Sequence, residues 1–289
     1  MALANLKITV LGLGAMGTGM AKNLLAAGLL HSAWNRSSAR AEQFAEQTGV
    51  RPAVDAVEAI AGCDVIVSCV SADEDLLALA ERLLPVLNTG MVWVDCSTVA
   101  VQTAQQLATQ LAKYGVAFVD APVSGGQEGA EKGMLAIMAG AEAGVFEQLE
   151  PLWRAIGARW QRMGSVGAGQ ATKAVNQIMA AGINQAVSDA MAFAEAQQLP
   201  IEKVVEVVGN GAAGNWFVQH RGVTMTQAEF TPGFKVALHH KDLKICQQMA
   251  QQSGAPTAVI DSVLSQYAKL IDAGYGEEDI SALYRLKSN

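Results

Sequence analysis

From Lys7 to about Gly140, short apolar runs alternate with longer stretches whose apolar residues recur at helical spacing. The runs 8–11, 31–34, 65–70, 91–95, 117–120 and 135–139 are mostly β-branched or apolar at successive positions. That is the pattern of strands covered on both faces of a parallel sheet. The stretches 17–27, 39–48, 76–87 and 101–114 predict the intervening amphipathic helices. Strand and helix in alternation imply right-handed crossovers and a sheet sandwiched between helical layers. Beyond about Ser165 the strand signals stop. Residues 170–198 form one long run of Ala, Met, Ile and Val at helical spacing, closed by Pro200. The run is more apolar than a surface helix, which predicts burial on most of its sides. Further helices are predicted over 201–208, 238–252 and 257–273. The pattern divides the chain into an α/β domain over 1–164 and an all-α domain over 165–289, with the long helix between them.

Composition narrows the class. With 289 residues, 51% hydrophobic, 16% charged and only 7 Pro, the chain is not a disordered polymer. A net charge of -7 argues against nucleic acid or an anionic membrane as partner. The apolar run 65–70 is far too short to span a bilayer. Residues Met1 to Asn5 hold no basic leader, and Lys7 interrupts the apolar run that follows, so no secretory signal is expected. The four cysteines, Cys63, Cys69, Cys96 and Cys246, have no metal-binding spacing. They predict reduced thiols in a cytoplasmic protein without a metal site.

The first predicted strand runs directly into Gly12-Leu13-Gly14-Ala15-Met16-Gly17. In such a turn the first glycine permits the tight bend and the second lets backbone approach a pyrophosphate. The third lets helix and strand pack closely. The N–H groups opening the helix then face the phosphates. The order strand, turn, helix, strand predicts a doubly wound Rossmann-type α/β domain that binds a dinucleotide. The second strand ends at Asn35-Arg36-Ser37, where an NAD site usually carries an acidic residue for the ribose 2′-hydroxyl. A carboxylate there would repel a 2′-phosphate, whereas the Arg36 fork can bind one. NADP(H) is therefore expected over NAD(H).

Two later segments carry further chemistry. Asp120-Ala121-Pro122-Val123-Ser124-Gly125-Gly126 follows a predicted strand, and its paired glycines can present successive N–H groups to a carboxylate. By itself Ser-Gly-Gly is more often an ordinary loop. Lys173, Asn176 and Gln177 share one face of the long helix by their i, i+3, i+4 spacing. A lysine in such an apolar stretch is costly to bury without a partner or a task. It lies near the helix start, where a cation gains nothing from the dipole. A lysine extending its head to solvent fits the pattern equally well.

The turn at 12–17, the segments 120–126 and 167–177, and the later Phe234 with Lys241-Asp242-Leu243 occur in order over nearly the whole chain. Together they resemble the β-hydroxyacid dehydrogenase family, of the 3-hydroxyisobutyrate dehydrogenase and semialdehyde reductase type. The resemblance implies that Lys173 is the catalytic lysine and that Ser124, Gly125 and Gly126 hold a substrate carboxylate. It further implies that Asn176 binds substrate, while Gln177 stands where many members carry a second asparagine. Val70-Ser71 and Ser97-Thr98 match loops bordering the cofactor, and Lys241 matches a lysine that reaches it from the helical domain. Trp216 and Phe234 match aromatic positions bordering the substrate. The implied reaction interconverts a small carboxylated aldehyde or ketone and its hydroxy acid, in a homodimer or larger oligomer.

The expected chemistry is hydride transfer to a carbonyl, with a lysine ammonium stabilising the developing negative charge and donating the proton. An imine reductase shares the glycine turn and the Trp34-Asn35-Arg36 strand end, but its typical members lack this lysine. A 6-phosphogluconate dehydrogenase would need a longer, more basic chain. A non-catalytic NADP-binding scaffold is a third alternative; no basic hook or linker accompanies the motifs. His31, His220, His239 and His240 are read as structural or solvated, His220 in a loop.

Overall fold

The computed structural model describes residues 6–287; the reading of Met1 to Asn5 lies outside them. The chain forms two compact units, Met1–Lys173 and Ala174–Asn289.

In the first unit the elements are β1 (Ile8–Leu11), α1 (Ala15–Ala26), β2 (Leu30–Trp34), α2 (Ser38–Thr48), α3 (Ala56–Ala59), β3 (Val65–Ser68), α4 (Asp73–Leu83), β4 (Val92–Asp95) and α5 (Val101–Ala112). They continue with β5 (Ala117–Asp120), β6 (Val123–Ser124), α6 (Gly126–Glu131), β7 (Leu135–Gly140), α7 (Ala143–Gln148), α8 (Glu150–Ile156) and β8 (Gly157–Gly164). The sheet order is β2-β1-β3-β4-β5-β7-β6, with β8 on β7. The first five strands are parallel. Both faces are apolar, as the continuous hydrophobic runs predict. Val10, Val67, Val94 and Val119 enter one core, and Leu11, Ile66, Trp93 and Phe118 enter the other.

From β1 the chain goes to β2 on one side and then to β3 on the other. The carboxyl ends of β1 and β3 therefore flank the switch point where open α/β sheets bind ligands. The run 135–139 is a strand, but β7 is antiparallel to β5 and β6. Residues 157–164 also form a strand, which the pattern did not predict. Its Arg159, Gln161 and Arg162 face solvent at the sheet edge, so no hydrophobic alternation marks it.

The second unit is all helical. The long α9 (Ala168–Ala196) begins in the first unit and continues into the second. It is followed by α10 (Ile201–Gly209), α11 (Trp216–Thr226), α12 (Val236–Ser253), α13 (Ala258–Asp272) and a 3-10 helix, Ile280–Leu286. Val218, Leu243, Ile260, Tyr267 and Leu283 belong to its core. One expectation is corrected here: His220 lies in α11 rather than in a loop. Within one chain α9 is buried along a single stripe. Ala174, Gln177, Ala181, Asn184, Ser188 and Met191 recur every three or four residues and are buried, whereas Val175, Met179 and Phe193 are 57%, 60% and 65% exposed. Among the described residues no helix is long and apolar enough to cross a membrane.

Candidate functional site

The glycine turn leaves β1 with Gly12 at φ +107°, a conformation open to glycine. A Cβ on Gly12 would stand 2.3 Å from the Cys69 carbonyl oxygen, and one on Gly17 would stand 1.8 Å from that of Gly12. These two glycines are required by the fold itself. Gly14 differs: a Cβ there would meet only Arg40 Nη1, at 3.9 Å. The turn is thus open at the position where a pyrophosphate approaches backbone, so the residues fit a dinucleotide. Ala15 and Met16 open α1 after Gly14 as its cap residue, and the Thr18 hydroxyl donates to Leu13 O.

Asn35 has a part the sequence did not reveal. Its Oδ1 accepts the Leu13 N–H at 2.8 Å, so the end of β2 holds the turn open. Its Nδ2 donates to Ser37 O. Arg36, 79% exposed, pairs with Asp75 of α4 at 2.5 Å. Arg40, whose guanidinium lies by Gly14, was not singled out either: it sits inside a polar helix segment with no motif around it.

At the carboxyl ends of β3 and β4 the loops are tied together. Val70 N–H donates to Ser97 Oγ at 2.8 Å, and Ser97 Oγ donates to Asp95 Oδ1 at 2.7 Å. Ser68 Oγ donates to the same oxygen at 2.6 Å and accepts from Trp93 Nε1. Ser71 and Thr98 follow directly on these anchored positions. Asp95 and Asp120 are register partners on adjacent strands and both are buried. Burial pushes the Asp95 carboxyl up to about 6, against the pull of the Ser68 and Ser97 hydroxyls. Burial pushes Asp120 up to about 7, although the N–H groups of Gly167 and Gln170 favour its charge. Neither aspartate stood out in sequence, where each reads as the polar end of a strand.

Lys173 is 7% exposed, and its ammonium donates to Val123 O at 2.9 Å. The structure thus resolves the alternative left by the sequence: the head group is turned inward. Val123 immediately precedes Ser124, Gly125 and Gly126, and the latter two have φ of +138° and +63°.

In the second unit Asn176 Nδ2 donates to Gln177 Oε1 at 2.8 Å, and Gln177 Nε2 donates to Asp242 Oδ2 at 2.6 Å. Asp242 Oδ1 pairs with Lys241 at 3.0 Å. These polar residues form one chain, with Gln177 long enough to bridge to Asp242. His239 is buried between Tyr267 OH and Gln177 O. Trp216 stacks on His220 and carries the Arg221 guanidinium 4.9 Å from its ring. Asp279 accepts from Arg221 and from the N–H groups of Gly233 and Phe234. One buried carboxylate therefore supports both aromatic candidates, Trp216 through Arg221 and Phe234 through its backbone. Among the described residues no group of three or more His, Cys, Asp or Glu could hold a metal ion.

Residues 7–167 match the NAD binding domain of 6-phosphogluconate dehydrogenase, and residues 167–287 match the NAD-binding region of NADP-dependent 3-hydroxyisobutyrate dehydrogenase. An uncharacterized oxidoreductase of Shewanella frigidimarina is 36% identical over 94% of this chain and 91% of its own. An NAD-dependent L-serine dehydrogenase of Pseudomonas aeruginosa is 32% identical, covering 97% of both chains. The structure of Mycobacterium tuberculosis 3-hydroxyisobutyrate dehydrogenase with L-serine superposes with a TM-score of 0.87 at 28% identity, covering 98% of this chain and 99% of that one. Fold and matches define a nicotinamide-dinucleotide-dependent oxidoreductase acting on CH–OH groups. Within that class, the chain belongs to the β-hydroxyacid dehydrogenase family.

Proposed function

We propose that the protein interconverts a small carboxylated aldehyde or ketone and the corresponding hydroxy acid, with NADP(H) preferred over NAD(H) and Lys173 as the general acid and base. The observation that carries this reading is the buried Lys173 ammonium, held on Val123 O next to the loop 124–126. When bound, the nicotinamide supplies or accepts the hydride. The lysine Nζ donates a proton to the carbonyl oxygen as its negative charge develops, and takes it back in the oxidative direction. Val123 O accepts one of the three Nζ hydrogens and so fixes the ammonium's direction. Ser124, Gly125 and Gly126 bind the substrate carboxylate, whose fixed place orients the carbonyl.

The family pattern assigns substrate contacts to Asn176, Gln177, Trp216 and Phe234, and a cofactor contact to Lys241. For the dinucleotide, Gly12, Leu13, Gly14, Ala15, Met16 and Gly17 receive the pyrophosphate, and Asn35, Arg36 and Ser37 the adenosine ribose. Val70, Ser71 and Thr98 border the cofactor. The L-serine in the names of two similar proteins is itself a β-hydroxy acid with a carboxylate, which supports the substrate class. The exposed Val175, Met179 and Phe193 of α9 support a homo-oligomer. Cys63, Cys69, Cys96 and Cys246 stand as thiols rather than as disulfides, which supports a cytoplasmic location.

The test is a panel read at 340 nm: glyoxylate, succinic semialdehyde and tartronate semialdehyde with NADPH, L-serine with NADP+, and a cyclic imine with NADPH. Turnover of a carboxylated substrate is the expected result. Turnover of the imine alone would replace the proposal with imine reduction, and cofactor binding with no turnover would replace it with a scaffold.

A further inference from the structure

The start of α9 is not capped by a neighbouring side chain. Asp120 takes that place across the fold: its Oδ1 accepts from the N–H of Gly167, just before the helix, at 2.7 Å and its Oδ2 accepts from that of Gln170 at 2.8 Å. Local capping by Ser, Thr, Asp or Asn would satisfy such groups equally well. A cap from the end of β5 does more, because it fixes where the helix starts relative to that strand. Three residues further, about 4.5 Å along the axis, Lys173 donates to Val123 O at 2.9 Å. Val123 lies three residues after Asp120. The segment 120–123 therefore grips α9 at its start and again in its second turn, and the loop 124–126 continues from it. The Gln170 side chain adds a grip in a different direction, donating to Ser97 O at 2.8 Å and accepting the Val99 N–H at 3.2 Å.

The surrounding glycines make room for this clamp. A Cβ on Gly140 would stand 2.2 Å from Asp120 Oδ1, and one on Gly169 would stand 2.4 Å from Asp120 O and 2.8 Å from Oδ2. Neither glycine has a positive φ, so clearance rather than backbone conformation calls for glycine at both positions.

We propose that Asp120 is a positioning residue for Lys173: its carboxylate sets the ammonium at the place and angle the reaction needs relative to the loop 124–126. The inference rests on the assignment of Lys173 made above. In Asp120→Asn one acceptor becomes an amide donor facing an N–H donor, so the clamp opens on one side. Misplacement of a catalytic group by about 1 Å costs roughly 10²-fold in rate.

The experiment measures kcat, KM and the NADPH dissociation constant for wild type, Asp120→Asn, Lys173→Ala and the double variant. The substrate is glyoxylate, or succinic semialdehyde if glyoxylate is not turned over. Asp120→Asn is expected to lose at least about tenfold in kcat, with KM and NADPH binding within about twofold of wild type. In the double variant the Asp120 change is expected to cost nothing beyond the loss from Lys173→Ala, because it acts through that lysine. A kcat within twofold of wild type, or a loss that adds to that of Lys173→Ala, overturns the proposal. Full turnover in Lys173→Ala overturns instead the assignment of the lysine. If Asp120→Asn does not fold, Gly140→Ala puts the same question by displacing the carboxylate rather than altering it, and the same outcomes decide.

Discussion

Asp95 offers a sharp test of how the strand ends are built. Its carboxyl is fully buried; Oδ1 accepts from Ser68 and Ser97, while Oδ2 has no hydrogen-bond partner among the described residues. An oxygen so placed favours a proton, and burial moves the group from 3.8 to about 6. A carboxyl raised in this way stabilises the fold relative to its ionised state at low pH. That stabilisation is fully present below about pH 4 and is lost as pH rises through about 6, because the folded protein holds a proton the unfolded chain has released. A shift of about two units at 1.36 kcal/mol each makes the whole effect about 3 kcal/mol, of which roughly half falls between pH 5 and pH 8.

Asp95→Asn keeps the shape of the neutral acid and cannot ionise. Its new amide N–H carries a fixed cost in place of Oδ2, of about 1–3 kcal/mol if unsatisfied, which is the same at every pH. The stability difference between variant and wild type should therefore move by about 1–2 kcal/mol in the variant's favour from pH 5 to pH 8. Urea unfolding of both proteins at half-unit intervals measures it. A difference constant across that range would refute the reasoning, whatever its absolute size.

Other predictions address the cofactor end and the helical unit. Arg36→Ala should raise KM for NADPH while leaving KM for NADH nearly unchanged; an unchanged ratio removes the argument for a 2′-phosphate. Asp75→Asn frees Arg36 from its exposed ion pair and should lower KM for NADPH by up to about fivefold, the scale of such pairs, with no gain for NADH. Ala228 holds φ +56° at the end of α11, where its successor Glu229 donates back to Thr224 O. Glycine accepts that conformation more readily, so Ala228→Gly should stabilise the protein by about 0.5–1 kcal/mol, read as a rise in Tm; a fall would contradict the strain argument.

The sequence made legible whatever is written in periodicity or glycine. Continuous apolar runs located the core strands, because a parallel sheet buried on both faces leaves no alternation to confuse with helix. The Gly12 turn was legible because sterics admit little else there. The polar clamps were not. Position alone suggested Asn35 as a ribose contact; that its amide also holds the Leu13 N–H was hidden, because only the folded turn brings the two together across 22 residues. Asp120 and Gly167 are 47 residues apart, and nothing local marks their pairing. The edge strand β8 went unpredicted for a related reason. Solvent exposure is set by what packs alongside, and composition alone does not carry it.

The most direct trial of the whole account is the turnover of Lys173→Ala with NADPH and the best carboxylated substrate, with NADPH binding measured on the same preparation. A fall in kcat of roughly 10²–10⁴-fold is expected, the range for general acid–base groups, with the cofactor bound as tightly as before. Near-normal turnover by a folded, NADPH-binding variant would contradict the account.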